Sequence, residues 1–114
     1  MLELISLPHL EKILLKKPDW LLVEITAAWV GATKIMRPIL EETLSHCREE
    51  VISYTVHGKL QDSLIMNMGV PGFPVYILWQ CGEERQRWVG IQPKDQWQQE
   101  IYHWLGKRWD QVSP

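Results

Sequence analysis

Apolar residues along the chain fall into short runs typical of β-strands, separated by longer segments with helical periodicity. The run from Trp20 to Ala27 is nearly continuous and contains one acidic residue, Glu24. A strand buried on both faces has this pattern, because polar residues alternate with apolar ones only when one face meets water. We therefore predict a central strand here. Further strands are predicted at Leu2–Ile5 (an edge strand), Val51–Val56, Val75–Gln80 and Arg85–Val89.

Four segments repeat their apolar residues at helical spacing. The first, LPHLEKILLKK, follows Ser6, whose hydroxyl can cap a helix. The second contains Pro38, which is expected to kink it because proline removes an N–H and crowds the preceding turn. A short third helix is predicted over Leu60–Met68, and the last begins at Pro93 and ends at Gly106. The expected buried positions are Ile35, Ile39, Leu40, Leu44 and Cys47 in the second helix, and Trp97, Ile101, Trp104 and Leu105 in the last.

The predicted order of elements is βαβαβαββα. Strands that alternate with helices favour parallel pairing, whereas the CGEE turn at residues 81–84 joins the last two strands as a hairpin. This mixture predicts an α/β fold with a mixed central sheet and helices on both faces. We expect one domain over residues 1–114, with a core at about 3–106 and a short C-terminal tail at 107–114, in which Trp109 is the tryptophan most open to solvent.

Composition and charge exclude several classes of function. The 114 residues are 46% apolar and 23% charged, with a formal net charge of −2. Nucleic-acid binding depends on an excess of Lys and Arg, which is absent. No apolar run approaches the roughly 20 residues that span a bilayer, and the N-terminus does not resemble a signal peptide, so we expect a cytoplasmic protein without a membrane partner. His9, His46, His57 and His103 lack ligand spacing, so we expect no metal and no cofactor.

Residues 29–34 read WVGATK and connect the central strand to the second helix. This segment resembles the WCGPCK motif of the thioredoxin family, with Trp29, Gly31 and Lys34 at the places of its Trp, Gly and Lys. Glu24 lies at the place of the family's buried acid, and Pro38 at that of its helix-kinking proline. The alignment implied by these residues runs without a gap from residue 21 to residue 40.

Later segments continue the resemblance. GVPGFP resembles the family segment that carries a cis-proline, which would be Pro74. Cys81-Gly82-Glu83 lies where the family has an Asn-Gly-Glu type of turn, and Val89-Gly90 resembles the pair that ends its last strand. The resemblance covers about residues 3–106 and implies the thioredoxin fold.

The two cysteines of the family motif are replaced in this chain. Val30 and Thr33 occupy their places, and Ala32 occupies the place of the motif's proline. Thioredoxin chemistry needs a thiolate at a helix N-terminus and a second thiol one turn away to resolve the mixed disulfide. A valine cannot attack, and a threonine hydroxyl is a poor nucleophile without a positioned base. We therefore predict no dithiol oxidoreductase activity at this loop.

Glu24 and Thr33 each have a structural and a catalytic interpretation. A buried acid can be paired with a lysine or hydrated by a buried water, or it can serve as a general base for Thr33 or a bound ligand. Thr33 is expected to cap or start the second helix, as Ser and Thr often do.

The resemblance also implies a surface that could still bind. In the family, the cis-proline lies beside the active-site loop, and the backbone near it pairs with an extended substrate peptide. Two interpretations stay open: the Phe73–Pro74 bond only shapes the start of the strand, or the peptide contact is retained. In the second case the partner is an unidentified protein or an extended peptide, or a second copy of the chain. The candidate binding residues are Trp29, Val30, Gly31, Ala32, Thr33, Phe73, Pro74 and Gly90.

The chain contains two cysteines, Cys47 and Cys81, away from the motif. Cys47 lies on the apolar face of the second helix and is expected to be buried and inert. Cys81 lies in the predicted hairpin turn and is expected to be more exposed. We favour a redox-inactive protein-binding module; the alternatives are a thiol-dependent activity through Cys81 or Cys47, and a role in redox homeostasis as a divergent thioredoxin.

Overall fold

A computed structural model describes residues 2–108 of the chain. Five strands and four helices follow one another in the predicted order. The strands are β1 (Glu3–Ile5), β2 (Trp20–Thr26), β3 (Ile52–His57), β4 (Val75–Gln80) and β5 (Glu83–Val89). The helices are α1 (Leu7–Lys16), α2 (Gly31–Ser45), α3 (Ser63–Asn67) and α4 (Lys94–Leu105).

The strands form one mixed sheet in the order β1-β3-β2-β4-β5. Strands β1, β3 and β2 are parallel, and β4 is antiparallel to both β2 and β5. All seven residues of β2 are buried, as its continuous apolar pattern predicts. The α/β prediction with a mixed sheet is confirmed.

The sheet separates two hydrophobic cores, so that helices cover both of its faces. One core joins α2 and α4 to the sheet through Met36, Leu40 and Trp97, and the other joins α1 and α3 to it through Leu10 and Ile65. Alternate residues of β2 and β4 contribute to opposite cores, since successive side chains of a strand point to opposite faces. Side chains of β2 and of β4 therefore pack into the cores on both faces of the sheet.

Helix α1 confirms its predicted start. Ser6 is the N-cap, and its Oγ accepts a hydrogen bond from the His9 backbone N–H at 3.2 Å. Pro8 lies in the first turn, where its missing N–H is harmless. The helix ends at Lys17, which adopts a left-handed conformation and donates its N–H to the carbonyl of Leu14.

Several predicted boundaries and positions differ from the structure. Helix α3 covers five residues and does not begin at Leu60. In α2, Ile35 is 57% exposed, and Met36 is buried in its place, because the core lies one position further around the helix. Trp104 is half-buried, and its Nε1 donates to the side-chain oxygen of Gln86.

The beginning of the predicted C-terminal tail is held to the body of the protein. Lys107 forms a β-bridge with Cys47, and the Arg108 N–H donates to the carbonyl of His46 at 2.9 Å. Cys47 is buried as predicted, but it lies two residues beyond the end of α2 rather than on the helix. Trp109 lies outside the described residues. Within residues 2–108, no helix combines the length and the apolar composition required to cross a bilayer.

Candidate functional site

The register of the sheet brings three separate chain segments to one edge. The end of β2 pairs with the start of β4 through Ile25 and Val75, and Val75 pairs with Val89 near the end of β5. Just beyond these pairs, the Gly90 N–H donates to the carbonyl of Pro74 at 2.8 Å. The WVGATK loop, the Phe73–Pro74 segment and Gly90 therefore lie at the same edge of the sheet, which we call the loop edge.

The loop turns tightly from β2 into α2. The Val30 N–H donates to the carbonyl of Ala27 at 3.2 Å, and Val30 is the N-cap residue of the helix without a side-chain cap. Trp29 projects outward with 77% of its surface exposed. Val30 and Ala32 are half-buried, and Gly31 is exposed. The loop thus presents one large aromatic ring and a small apolar surface.

Thr33 was expected to cap or to start α2, and only the second of these roles fits the structure. It lies in the first turn of α2 but does not cap it: its side chain is buried, and its Oγ1 lies 2.6 Å from Oγ1 of Thr26. The two hydroxyls satisfy each other inside the protein, linking the end of β2 to the start of α2. Thr26 was not singled out from the sequence, because a threonine in an apolar strand carries no local signal for this pairing.

The Phe73–Pro74 peptide bond is cis. Pro74 is buried, whereas Phe73 is half-buried and packs against the core shared by α1 and α3. Beside Gly90, both Val89 and Ile91 are exposed large apolar residues. Of the eight candidate binding residues, Thr33 and Pro74 therefore have buried side chains, and the other six reach solvent at least partly.

A pocket of about 330 Å³ opens beside Trp29. One side of it belongs to the loop, and the other belongs to the segment that follows β3, which reaches this edge because Thr26 pairs with His57. Sequence reasoning missed this second side, since the pairing of β2 with β3 determines which residues flank the loop. The lining residues are Ala27, Ala28, Trp29, His57, Gly58, Lys59 and Asp62.

Glu24 is fully buried and accepts hydrogen bonds from three side chains. Arg37, on α2, donates to Oε1 through its Nε at 3.0 Å and also through one terminal nitrogen. Thr55, on β3, donates to Oε1 at 2.8 Å, and Tyr76, on β4, donates to Oε2 at 2.8 Å. We call these four residues the Glu24 network.

The network raises the pKa of two of its members, Tyr76 and Arg37. Burial, reinforced by the Glu24 carboxylate, raises the pKa of Tyr76 well above its usual value. The hydrogen bond to Glu24 raises the pKa of Arg37. Both groups therefore stay protonated and hold the carboxylate in place.

The sequence-based interpretation of Glu24 is only partly right. Its burial was expected, but its cationic partner is an arginine on α2 and not a lysine. Glu24 is hydrogen-bonded to Arg37, Thr55 and Tyr76, whereas the Thr33 hydroxyl pairs with Thr26. Within residues 2–108, the proposed base and the proposed nucleophile therefore share no hydrogen bond, and the general-base interpretation for Thr33 lacks geometric support.

Both cysteines lie away from the loop edge. Cys81 follows Gln80, which pairs with Trp20 at the beginning of β2, and so it lies at the opposite edge of the sheet. Its thiol is free and exposed, as predicted. Cys47 is free and buried, its Sγ lies 3.3 Å from the carbonyl of Thr43, and burial raises its pKa to about 11.

A second pocket, of about 620 Å³, opens at the opposite edge. Trp20, Cys47 and Asp19 line it, together with Glu49 and Glu50. It contains none of the motif residues. Over residues 2–108, His, Cys, Asp and Glu side chains form no cluster suited to a metal ion.

Comparison with known proteins identifies relatives of this chain by sequence. A thioredoxin from Alicyclobacillus acidocaldarius is 29% identical over 75 residues, which cover 66% of this chain and 71% of that protein. A thioredoxin-like protein from Synechocystis sp. is 26% identical over 84 residues, covering 74% of this chain and 80% of its own.

Solved structures show the same fold. The oxidised form of mitochondrial thioredoxin 3 from Saccharomyces cerevisiae superimposes with a TM-score of 0.69 at 18% identity, covering 90% of this chain and 94% of that one. The family model for thioredoxin matches residues 4–103, which is most of the chain. The chain therefore belongs to the thioredoxin family, with WVGATK in place of a loop that carries two cysteines.

Proposed function

We propose that this chain is a redox-inactive thioredoxin-like protein that binds a protein partner without a covalent step, through the loop edge. The observation that carries the proposal is the 77% exposure of Trp29 on a loop that has no thiol. Tryptophan is among the residues that contribute most to binding energy at protein interfaces. Exposed apolar surface at the same edge of the sheet, at Val89 and Ile91, supports an interaction site.

The chemical groups at the loop support binding without reaction. Val30 has no reactive atom, and the Thr33 hydroxyl is buried and paired with Thr26. The Glu24 carboxylate accepts hydrogen bonds from Arg37 and two hydroxyls, so it is not free to act as a base at the loop. A hydroxyl is a weak nucleophile and depends on a base within hydrogen-bond reach to attack.

The partner we propose is a protein, or an extended peptide segment of one, and the chain would serve as an adaptor, assembly factor or complex subunit. We propose that binding requires no cofactor and no metal, and that the protein acts in the cytoplasm. The buried side chains of Thr33 and Pro74 would hold the backbone of the loop edge in position. The contact surface would come from Trp29, Val30, Gly31, Ala32, Phe73 and Gly90.

Cys81 supports a second candidate function. It is exposed, and the relatives named above are thioredoxins or thioredoxin-like proteins. A single exposed thiol can form a mixed disulfide with another protein but has no second thiol beside it to resolve that bond. This activity would be located at the edge of the sheet opposite the loop.

A pull-down with tagged protein, made with and without reductant, separates the two candidates. The variants are Trp29→Ala, Trp29→Ala/Phe73→Ala and Cys81→Ser, and Leu15→Ala is a matched control because Leu15 is an exposed apolar residue on α1. We expect a partner that survives reductant, is lost with Trp29→Ala and is retained with Leu15→Ala. Loss with reductant or with Cys81→Ser, or clear turnover in an insulin-reduction assay, would support the thiol activity instead.

A further inference from the structure

The loop edge carries two exposed lysines. Lys59 lines the pocket beside Trp29, and Lys34, the last residue of WVGATK, lies in the first turn of α2. Both are exposed, and among the described residues neither forms an ion pair. The one acidic residue in the pocket lining, Asp62, has an Oδ2 that accepts the backbone N–H of Lys59 at 2.8 Å. Within residues 2–108, Asp62 forms no ion pair either.

The pocket combines an apolar side with a polar one. Ala27, Ala28 and the Trp29 ring form the first, and the second contains Lys59 together with His57, Gly58 and Asp62. Its volume of about 330 Å³ lies near the lower end of the range of small-molecule sites, roughly 300–1,000 Å³. A pocket of this size and shallow outline suits side chains of a peptide better than a cofactor.

The opposite edge of the sheet carries charges of both signs, since Asp19, Glu49 and Glu50 are exposed there, and so are Lys17, Arg48 and Arg108. At the loop edge, the two exposed lysines, Lys34 and Lys59, outnumber the one half-buried acid, Asp62. This excess of positive charge attracts a negative segment to the loop edge.

We propose that the loop edge selects a protein segment in which an acidic residue is adjacent to a large apolar one. The apolar side chain packs against Trp29 and the two alanines, and the carboxylate lies between Lys34 and Lys59. This inference rests on the proposed binding function and adds the chemical class of the partner. The two lysines determine which segment binds, and the Trp29 ring supplies the apolar contact on which binding depends.

Selection from a phage-displayed library of random linear peptides tests the proposal. The baits are the natural chain, Trp29→Ala, Lys34→Glu/Lys59→Glu and the control Lys12→Glu/Lys16→Glu, which changes the net charge equally on α1. All substituted residues are exposed, and thermal denaturation verifies that each variant folds. Enriched peptides are then synthesised with their acidic residues intact or replaced by Asn and Gln, and their affinities are measured by fluorescence anisotropy.

We expect peptides enriched in Asp or Glu beside Leu, Ile, Val or an aromatic residue. Replacing the acids, or reversing the two loop-edge lysines, should weaken binding by about twofold to thirtyfold, since each exposed ion pair contributes modestly and salt screens it. The α1 control should bind like the natural chain.

Two results would overturn the inference, and they differ in what they imply for the function. Peptides that need Trp29 but show no acidic preference, or that ignore reversal of Lys34 and Lys59, would refute the charge selection and leave the binding function intact. A library that yields no peptide dependent on Trp29 would refute the inference and count against the binding function as well.

Discussion

Replacing Arg37 with methionine tests whether the Glu24 network holds a charged pair inside the protein. Methionine has a similar length and keeps much of the apolar stem, so the main change is loss of the guanidinium. Glu24 has no exposed surface, and its carboxylate would keep only the hydroxyl donors of Thr55 and Tyr76. The variant therefore leaves a buried carboxylate without its cation.

The expected loss of stability follows from the burial of the two partners. Removing one member of a buried ion pair costs about 3–5 kcal/mol. Because the Arg37 side chain is 33% exposed and two hydroxyl donors remain, we take the lower end, about 3 kcal/mol. With an unfolding entropy of about 2.1 cal/mol/K per residue, the 114-residue chain should lose about 12 °C in Tm.

Urea denaturation followed by circular dichroism measures the loss, and a double-mutant cycle with Glu24→Gln isolates the coupling between the two side chains. The matched control is Arg85→Met, because Arg85 pairs with Glu83 on the surface, where an ion pair contributes about 0–1 kcal/mol. We expect Arg37→Met to be clearly less stable than Arg85→Met. Glu24→Leu should also destabilise the fold, since Thr55 and Tyr76 would lose their acceptor.

The reasoning is refuted if Arg37→Met lies within about 1 kcal/mol of the natural chain, the range of a surface pair. A coupling energy near zero in the cycle would lead to the same conclusion. Either outcome would mean that the guanidinium does not compensate the Glu24 carboxylate.

Three further predictions concern other buried groups. A thiol reagent such as dithionitrobenzoate should modify one cysteine in the folded protein, the exposed Cys81, and reach buried Cys47 only after unfolding; Cys81→Ser should abolish the folded-state reaction. Because burial raises the pKa of Cys47 from 9.0 to about 11, its contribution to stability is complete below pH 9 and is lost as the pH rises toward 11, by up to about 3 kcal/mol. Because the pKa of Tyr76 is raised as well, the stability of the fold should continue to fall at still higher pH. Cys47→Ala should flatten the dependence between about pH 8 and 11 in urea titrations, and equal slopes would contradict it. Thr33→Val should destabilise by about 1–3 kcal/mol by leaving the Thr26 hydroxyl unpaired, whereas Thr26→Val/Thr33→Val should recover most of the loss.

The strands were predictable because their apolar runs are local and continuous. Val75–Gln80 was predicted with its observed bounds, and the central strand Trp20–Thr26 within one residue. Helix α3 was predicted too long, since Leu60 is apolar but exposed, and a short amphipathic segment gives a weak periodic signal. Ile35 was assigned to the core for a similar reason, because the apolar pattern of α2 does not determine which of two neighbouring positions meets the sheet.

The residues of the loop could be predicted from the sequence, but the residues that surround the loop in the fold could not. The resemblance singled out Trp29, Val30 and Thr33. The residue type of Thr33 indicated a helix cap or a helix start, but its buried hydrogen-bond partner, Thr26, was not predicted. The pocket side formed by His57 and Lys59 depends on the parallel pairing of β2 with β3. No pattern within either segment predicts that contact.

The sequence by itself determined the class of fold and the absence of thiols from the loop, because hydrophobic periodicity and residue identity are properties of short segments. Only the tertiary structure decided which groups meet Glu24. Thr55 and Tyr76 are 31 and 52 residues away along the chain, and Arg37 is brought in by the packing of α2 on the sheet. A buried carboxylate must be satisfied by whichever donors the fold places within about 3 Å of it, and that choice is made by strand register and helix packing, which act over distances no local pattern records.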